Sequence, residues 1–493
     1  MYPPAPSTGG ARGCFTRGRV PLSPWETIAG ALVLAASLLA AGHAVLHKRD
    51  VRAAIGWVAV ILLTPAFGAS AYFLFGVNRI RRRALALGPG GLRARPVEPP
   101  GQPLRLPASA HHLDRLARFG DQVVRNPLVH GSRITLLPGG GAAYPEMLAA
   151  IEGAQRTVTL STYIFDRGVV GDAFIAALAR ARWRGVQVRV LVDAVGVRYT
   201  WPPAHAELRR ADVRVALFLP RISAWLVPSL NLRNHRKVLV ADGRVGFTGG
   251  FNIRDEFAES AANPTPHQDL HLRVEGPLVA QLQSAFAEDW RFATGEPLDG
   301  VEFFPGLERP GDVLGRAIPD GPDEDFETIR WLLFAALGAA RSSIRIVTPY
   351  FLPDPALVIA LDAAALRGVE VDIVLPERSN LPVVGWAQTA QLWQVLQQGC
   401  RVWLSPPPFD HSKMMVVDGC WTLLGSSNWD PRSLRLNFEL DVECFDTALA
   451  NEVEALVRAR IARARPITLA EVDARPLPIR VRDGVARLFS PYL

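Results

Sequence analysis

Cysteine is scarce in this 493-residue chain, and its sequence carries no nucleotide-binding signature. The cysteines form no C-x-x-C pair and no zinc-binding spacing, so we expect them to be reduced, buried and structural, as in a cytosolic protein. No Gly-rich nucleotide loop is present, and no aromatic-interleaved basic patch or RNA-binding signature stands out. These absences argue against a zinc site, a nucleotide cofactor and a nucleic-acid partner. The cysteines are Cys14, Cys400, Cys420 and Cys444.

Two long apolar stretches near the N-terminus predict membrane attachment. Residues 27–46 and 53–75 are each long enough to cross a hydrocarbon core of about 30 Å as a helix. Only a short polar link, residues 47–52, separates them, so the pair predicts a transmembrane hairpin. A cleaved signal peptide is the alternative, but the first stretch is longer than a usual signal core and a second follows at once.

Arginines concentrate on both flanks of the predicted hairpin. The net charge is +7, which in a membrane-bound chain is typical of arginines beside anionic headgroups. More positive charge flanks the hairpin than lies in its link, so the positive-inside rule favours both flanks in the cytoplasm. This predicts a multi-pass protein of the cell (inner) membrane with cytoplasmic globular lobes. The flanking arginines are Arg12, Arg17 and Arg19, then Arg79, Arg81, Arg82, Arg83, Arg93 and Arg95.

Beyond residue 131 the chain repeats itself. Val158–Phe165 resembles Ile344–Phe351, and R-G-V-Q-V-R-V-L-V-D at 184–193 resembles R-G-V-E-V-D-I-V-L-P at 367–376. Strands separated by helical patterns imply α/β lobes with mixed, helix-covered sheets. We therefore predict two homologous lobes that share one site on a pseudo-twofold axis. The predicted divisions are a tail (1–24), two transmembrane helices (25–76), a linker (77–131), a first lobe (132–300) and a second lobe with a C-terminal extension (301–493).

The same histidine, lysine and aspartate spacing occurs once in each repeat. N-H-R-K-V-L-V-A-D contains the first copy and D-H-S-K-M-M-V-V-D the second. Within H-x-K, the alternation of a strand points the histidine and the lysine to one side. Two imidazoles and two ammonium groups in one pocket can attack a phosphate ester, and the lysines would repel a metal cation, so no metal or other cofactor is implied. The residues are His235, Lys237, Asp242, His411, Lys413 and Asp418.

The motif residues support a two-step displacement at phosphorus. One neutral imidazole can form a phosphohistidine, while the other protonates the departing alkoxide and later takes a proton from the incoming alcohol. Lys237 and Lys413 can hold the non-bridging oxygens, and Asn252 and Asn428, which follow matching turns, can add amide donors. For the aspartates at 242 and 418, which we include in the catalytic set, a structural role and a direct catalytic contact both stay open. Weaker candidates, for which surface or packing roles are favoured, are Arg432, Asn437 and Glu256.

The duplicated motif resembles the phospholipase D superfamily, and the match extends to its cardiolipin synthase-like branch. Thr348-Pro-Tyr-Phe351, Thr248-Gly-Gly-Phe-Asn252 and Arg432–Glu439 are typical of that branch, as is the membrane segment Trp57–Gly76. The resemblance implies two phospholipase D-like lobes, with His235 as nucleophile and His411 as general acid and base. It also implies that Asp269 and Glu439 orient the imidazoles.

Three segments depart from the pattern of that branch. A common W-R-D-x-H stretch reads H-Q-D-L-H at 267–271, and Asn380 replaces a frequent aspartate. The tyrosine-rich helix before the second motif reads A-Q-T-A-Q-L-W at 387–393. These departures bear on substrate preference more than on chemistry.

The resemblance implies a membrane phosphatidyltransferase. Two phosphatidylglycerol molecules would give cardiolipin and free glycerol through a phosphohistidine, with membrane phospholipids as the partners. Two alternatives stay open: a phospholipase D that releases phosphatidate, and a membrane-tethered nuclease. The sequence leaves the acceptor alcohol and the oligomeric state open.

Overall fold

The computed structural model of the chain describes residues 23–48, 51–76, 105–219, 232–261, 263–322 and 327–490. It falls into two units, Met1–Asn78 and Arg79–Leu493, which we describe separately. Arginines 12, 17 and 19, those between 79 and 95, and Cys14 lie outside the described residues.

The N-terminal unit contains one helix of membrane-spanning length among its described residues, α1 (Pro24–His47). Ser23 and Glu26 form a reciprocal capping box at its start, which satisfies N–H groups that the first turn leaves unpaired. The helix carries apolar side chains on nearly all of its surface, as expected of a segment that lies in lipid.

The second apolar segment is broken, which differs from the predicted continuous span over 53–75. It forms α2 (Val51–Leu63), α3 (Pro65–Ala71) and a π-helical turn (Tyr72–Gly76). The chain reverses direction at Thr64, so α3 begins close against the end of α2. A Cβ on Gly68 would lie only 2.3 Å from the Val60 carbonyl oxygen, which requires glycine there. Pro65 begins α3 because it lacks the N–H that would continue α2. The 13 residues of α2 rise only about 20 Å, less than a hydrocarbon core.

The described part of the predicted linker, residues 105–131, is more than a connection. A 3₁₀ helix (Ala108–Leu113) leads into α4 (Asp114–Val123), and Leu113 and Leu116 are buried in the core of the second lobe. The prolines and arginines that suggested a linker concentrate before this point, and Pro107 sits directly ahead of the 3₁₀ helix. Part of the segment predicted as a linker therefore packs in the core of the second lobe.

Fifteen strands of the described residues form one sheet with an internal symmetry. Its order is β15-β11-β10-β9-β12-β13-β14-β8-β1-β7-β6-β5-β2-β3-β4, so the two repeats occupy opposite halves in mirrored order. The antiparallel pair β1–β8 joins the halves. Within each half, β2–β3–β4 and β9–β10–β11 are parallel and the remaining pairs are antiparallel. The second half has one additional edge strand, β15, which pairs antiparallel with β11. The prediction of two homologous lobes with mixed sheets is confirmed.

The strands of the first half are β1 (Val129–Pro138), β2 (Thr157–Thr162), β3 (Gln187–Asp193), β4 (Arg214–Phe218), β5 (Val238–Ala241), β6 (Val245–Gly249) and β7 (Leu270–Glu275). Those of the second half are β8 (Val313–Asp320), β9 (Ser343–Val347), β10 (Glu370–Pro376), β11 (Arg401–Ser405), β12 (Met414–Val417), β13 (Trp421–Gly425), β14 (Glu439–Phe445) and β15 (Arg465–Ile467).

Helices cover both faces of the sheet. On one face, α8 and α13 pack across both lobes in a shared central core. On the other, α5, α6 and α7 cover the first lobe, and α4, α9, α10 and α12 cover the second. The helices are α5 (Gly140–Gly153), α6 (Val169–Trp183), α7 (Ala204–Arg210), α8 (Leu278–Thr294), α9 (Thr328–Ala339), α10 (Pro355–Leu366), α11 (Pro382–Thr389), α12 (Leu392–Gln397), α13 (Thr447–Ile461), α14 (Leu469–Asp473) and α15 (Leu477–Leu488).

The short strands after the histidine motifs lie between these layers. Val238 and Val240 of β5 face the central core, and Leu239 and Ala241 face the core of the first lobe. Met414–Val417 of β12 alternates in the same way. Because both faces are buried, these strands read as unbroken apolar runs instead of alternating patterns. They hold the preceding residues at the centre of the sheet.

Three cysteines behave as predicted. Cys400, Cys420 and Cys444 are buried and form no disulfide. Burial raises the pKa of the Cys420 thiol to about 11 and that of Cys400 to about 12, so both stay protonated and unreactive near neutral pH.

Candidate active site

The two H-x-K segments lie immediately before β5 and β12, where each is pinned to the opposite lobe. The His235 N–H donates to the Phe438 carbonyl at 2.8 Å, and the His411 N–H donates to the Gln268 carbonyl at 2.7 Å. The sequence placed these residues within the strands, but the backbone there pairs across the lobes instead of along β5 and β12. Phe438 directly precedes Glu439 in the chain, and Gln268 directly precedes Asp269. Each motif is therefore bonded to the residue that comes before an acidic residue of the other lobe.

The carboxylate partners of the histidines are exchanged between the lobes. His235 Nδ1 lies 2.8 Å from Glu439 Oε2, and His411 Nδ1 lies 2.7 Å from Asp269 Oδ2. All four side chains are almost completely buried. A carboxylate on Nδ1 fixes the proton there and leaves Nε2 as the nitrogen for chemistry. Each half of the repeat thus supplies a histidine to the site and the carboxylate that orients its counterpart.

The two carboxylates differ in their electrostatic surroundings. Burial raises the pKa of Glu439, which also accepts hydrogen bonds from the Ser426 hydroxyl at 2.6 Å and the Asn437 amide at 3.0 Å. Burial alone would raise the pKa of Asp269 too, but the Lys413 ammonium and the His411 hydrogen bond more than offset it, and the pKa lies below its usual range. The two imidazoles are therefore not electrostatically equivalent.

Burial disfavours the charged form of both imidazoles. It lowers the pKa of His411 to about 3, with the Lys413 charge acting in the same direction. Burial, together with Lys237 and Lys413, also depresses the pKa of His235 well below its ordinary value. A bound phosphodiester would bring negative charge next to these groups and raise both pKa values. The site can thus supply a neutral nucleophile and gain a proton on the second imidazole when substrate is present.

The ammonium group of each motif lysine contacts the histidine of its own motif. Lys237 Nζ donates to the His235 carbonyl at 2.6 Å, and Lys413 Nζ donates to the His411 carbonyl and lies 2.8 Å from His411 Nδ1. Burial lowers the pKa of Lys237 to about 7 and that of Lys413 to about 8. The chain contains only one other lysine, Lys48, and otherwise uses arginine as its basic residue. In a chain that otherwise uses arginine, lysine at 237 and 413 favours a role for a compact ammonium group at these two positions.

One cavity receives both histidines and both predicted asparagines. Its volume is roughly 340 Å³, and His235, His411, Asn252 and Asn428 line it. Asn252 Oδ1 accepts the Ile164 N–H at 3.2 Å, which leaves its amide N–H groups as donors. Asn428 Oδ1 is buried and accepts no hydrogen bond from the described residues, so the oxygen of this amide is open to a donor on a ligand.

A tyrosine stands beside each imidazole, which sequence reasoning missed. The Tyr163 ring lies edge-on to His235 with centroids 5.3 Å apart, and the Tyr350 ring lies edge-on to His411 at 6.3 Å. The Tyr350 hydroxyl donates to Asn380 Oδ1 at 2.8 Å. Asn380, which replaces an aspartate that is frequent in the family, therefore lies at the cavity wall. Both tyrosines lie in the matched segments 158–165 and 344–351 of the two repeats, and this shared position could have indicated them.

Charged side chains at the cavity wall break the symmetry. Arg254 and Glu256 follow Asn252, whereas Asp430 and Arg432 follow Asn428 at the same spacing with the charges reversed. Arg254 pairs with Glu256 at 2.7 Å. Burial raises the pKa of Asp430 to about 6. Of the weaker sequence candidates, Glu256, Arg432 and Asn437 all line the cavity instead of the surface.

The two motif aspartates lie away from the histidines. Asp242 accepts the backbone N–H groups of residues 155, 156 and 157 at 2.7–2.9 Å. Asp418 accepts those of residues 341, 342 and 343 at 2.8–2.9 Å, and His112 Nε2 at 2.8 Å. Both residues have positive φ, 53° and 51°, at the turn after their strands. Each carboxylate fastens the turn before β2 or β9, and among the described residues neither contacts a histidine or a lysine of the motifs. Of the two roles left open, these contacts favour the structural one.

The fold and the site together define a class of enzyme. Two homologous lobes place two imidazoles, each with a carboxylate from the other lobe, at one cavity, with ammonium and amide donors around them. This is the arrangement of a phosphodiester-cleaving enzyme that works through a phosphohistidine.

Comparisons with known proteins identify the family. A family model described as "Cardiolipin synthase, PLD-like domain" matches residues 147–290 and 333–460, and one described as "Phospholipase_D-nuclease N-terminal" matches residues 35–76. The chain is 33% identical to cardiolipin synthase A of Pseudomonas entomophila (strain L48), with 92% of this chain and 96% of that protein covered. It is 33% identical to a cardiolipin synthase of Geobacillus thermodenitrificans (strain NG80-2), covering 91% and 90%. The chain belongs to the cardiolipin synthase family of the phospholipase D superfamily.

A solved structure shows the same fold. Phosphatidylserine synthase of Haemophilus influenzae Rd KW20 matches with a TM-score of 0.59 at 13% identity, covering 77% of this chain and all of that one. At this identity the likeness concerns the fold alone.

Proposed function

We propose that this protein is a membrane phosphatidyltransferase that makes cardiolipin from two phosphatidylglycerol molecules and releases glycerol. The observation that carries the proposal is the crossed pair of imidazole–carboxylate contacts at one cavity, His235–Glu439 and His411–Asp269. The family membership supports the lipid substrate, since relatives that match over nine-tenths of the chain are cardiolipin synthases.

In the first step, His235 Nε2 attacks the phosphorus of phosphatidylglycerol. A P–N bond forms and the P–O bond to the glycerol headgroup breaks, which leaves a phosphatidyl-histidine. His411 protonates the departing glycerol oxygen. Glu439 stabilises the positive charge that develops on the His235 ring, since its carboxylate is 2.8 Å from Nδ1.

In the second step, the primary hydroxyl of another phosphatidylglycerol takes the place that glycerol has left. His411, now neutral, removes the hydroxyl proton as the oxygen attacks phosphorus and the P–N bond breaks. Asp269 holds His411 through its protonated and neutral states. The same groups serve both half-reactions because departing glycerol and incoming alcohol occupy one side of the phosphorus.

The donors around the cavity hold the phosphoryl oxygens during both steps. Asn252 and Asn428 project from the two lobes at the cavity wall. Lys237 and Lys413 are not among the cavity-lining residues, and their ammonium groups donate to the carbonyls of His235 and His411. From there their charge stabilises the negative charge that accumulates on the equatorial oxygens. Removal of water from this buried site strengthens those interactions and favours transfer over hydrolysis.

Membrane attachment through the N-terminal apolar helix fits lipid substrates. We propose that the lobes face the cytoplasm, because six arginines follow the apolar segment between residues 79 and 95. A two-pass arrangement requires α2 and α3 to straighten at Thr64. Reporter fusions at both termini of the chain decide the number of passes: reporters on the same side indicate two, and on opposite sides one.

Purified protein in mixed micelles with headgroup-labelled phosphatidylglycerol tests the function. Cardiolipin and free glycerol in equal amounts support the proposal, whereas phosphatidate with glycerol identifies a hydrolase. Trapping of the intermediate uses phosphatidylglycerol labelled in an acyl chain, because the headgroup leaves in the first step. Acid-stable acyl-chain label on the protein would contradict a phosphohistidine, which is acid-labile. His235→Ala should abolish labelling and turnover, and label retained in that variant would reassign the nucleophile to His411.

A further inference from the structure

The C-terminal helix turns its apolar side toward solvent. α15 carries Leu477, Val481, Val485 and Leu488 at i, i+4, i+8 and i+11, and all four side chains are at least half exposed. Its opposite side buries Asp483, whose carboxylate pairs with two arginines at positions 475 and 482. A helix of a soluble domain buries its apolar stripe and exposes its charges. α15 does the reverse.

Arginines border this apolar stripe. Arg480 and Arg487 are exposed and form no ion pair with the described residues. The Arg482 guanidinium lies over the Trp386 ring, 4.4 Å from its centroid. An exposed apolar stripe with basic side chains along its edges is the composition of a helix that lies in the plane of a membrane interface. The arginine stems can follow the apolar layer while their charges reach the headgroups.

The buried side of α15 rests on a wall of the active-site cavity. Ala486 packs in one cluster with Val384 and Ala387 of α11, and Tyr350 borders the same cluster. Val384 and Tyr350 line the cavity that holds the histidines, and so does Leu381, which is itself half exposed. The apolar stripe and the cavity are therefore separated by one helix.

The first lobe also places exposed aromatic residues beside the cavity. Tyr199 lines it and is half exposed, and Trp201, two residues further on, is 91% exposed. Tryptophan and tyrosine are enriched at the headgroup layer of membranes. Apolar and aromatic side chains thus lie exposed near the cavity on both lobes.

We propose that α15, together with Leu381, is a docking surface for a bilayer that contains anionic phospholipid, and that it sets the cavity at the headgroup layer. The bordering arginines favour an anionic surface over a second copy of the chain, since a twofold contact through this stripe would bring like charges together. The role in substrate delivery rests on the proposed function, whereas contact with lipid does not.

Site-specific fluorescence on the full chain tests the contact. With Cys14→Ser as background, Leu488→Cys and, separately, Leu366→Cys are labelled with an environment-sensitive dye and reconstituted in phosphatidylglycerol–phosphatidylcholine vesicles. Leu366 is the matched control, because it is 71% exposed against 76% for Leu488. It ends α10 just before the start of β10, and the register of β10, β9 and β12 puts that start at the strand end opposite to the histidines. The three buried cysteines should not react.

The expected result is a blue-shifted emission at position 488 that brominated lipids quench, and a solvent-like emission at position 366. Solvent-like emission at both positions overturns the proposal. A blue shift at 488 that grows with the protein-to-lipid ratio and resists brominated lipid also overturns it, because it identifies a second copy of the chain as the occupant.

Turnover supplies an independent arm. Val485→Glu combined with Leu488→Glu should lower the rate on long-chain phosphatidylglycerol in vesicles roughly tenfold, because the helix no longer enters the interface. Leu366→Glu should leave that rate unchanged. A short-chain phosphatidylglycerol dispersed as monomers should react equally well with the unmodified protein, the double variant and Leu366→Glu. An equal loss on both substrates indicates damage to the fold and contradicts docking. If the unmodified protein makes no cardiolipin, the proposed function fails while the fluorescence result still decides the contact.

Discussion

Replacement of Asp269 by asparagine tests the crossed arrangement of the site. The substitution preserves shape and removes the charge that lies 2.7 Å from His411 Nδ1. A buried hydrogen bond to a charged group contributes about 1.5–3 kcal/mol, so its loss should lower kcat roughly ten- to hundredfold. The effect should fall on both half-reactions, since the proposed mechanism uses His411 as the acid in one and the base in the other. Cardiolipin formation and glycerol release measure it.

The pH profile distinguishes this role from damage to the fold. Asp269 raises the pKa of His411 against the effect of burial, so its neutralisation should lower that pKa further. The acid form of His411 is then lost at lower pH, and the alkaline limb of kcat should move toward acid. Asp242→Asn is the matched control: Asp242 has φ of 53°, which asparagine tolerates, and its contacts are with backbone N–H groups only. It should reduce stability and leave the profile unchanged. If Asp269→Asn folds normally and keeps both its kcat and its profile, the assignment of Asp269 to His411 is refuted.

Three further outcomes follow from the buried charges. Lys237→Arg and Lys413→Arg should each lower turnover roughly tenfold or more in a folded protein, because the planar guanidinium cannot take the place of a compact ammonium; wild-type rates would contradict this. KM should rise as the pH passes the lysine pKa values of about 7 and about 8, while the free energy of unfolding should not fall there. The unfolded lysines have an ordinary pKa of 10.5, so above about pH 7 they bind more protons than the folded ones. The free energy of unfolding therefore rises with pH between about 7 and 10.5. A fall in that range would refute the assignment of depressed lysine pKa values. Glu443→Gln should cost about 3 kcal/mol in urea unfolding, because it leaves the charge of the fully buried Arg316 with the partly exposed Asp121 and the Ala117 carbonyl as partners. A loss below roughly 1 kcal/mol would show that the pair is not needed.

The sequence predicted the lobes well because their signals are local. Apolar runs such as Val238–Ala241 and Met414–Val417 reflect burial on both faces, and the order of landmarks reflects duplication. The break at Thr64 was missed because Ala53–Phe75 is apolar throughout, so hydropathy does not register a change of direction. α4 was missed because the proline-rich stretch before it suggested a linker.

The role of the motif aspartates could not be read from their spacing. A residue five positions after the lysine necessarily lies at the far end of a four-residue strand, about 13 Å from its beginning. Asp242 and Asp418 therefore reach the opposite end of β5 and β12 from the histidines, where backbone N–H groups need an acceptor. Only the three-dimensional pairing shows that the motif combines chemistry at one end of the strand with fastening of a turn at the other.

The exchange of carboxylates explains why neither repeat is an active site by itself. The repeat makes Asp269 and Glu439 equivalent, but equivalence does not say whether each serves its own histidine or the other one. The backbone settles this, because the residues that precede the two carboxylates pair with the residues at the opposite motif: Phe438 with His235, and Gln268 with His411. The lobes thus bind each other through the same contacts that orient the imidazoles. Any change that separates the lobes therefore removes the carboxylate partner of both imidazoles at once. If the proposed mechanism holds, activity should be lost in one transition, together with the contact between the lobes.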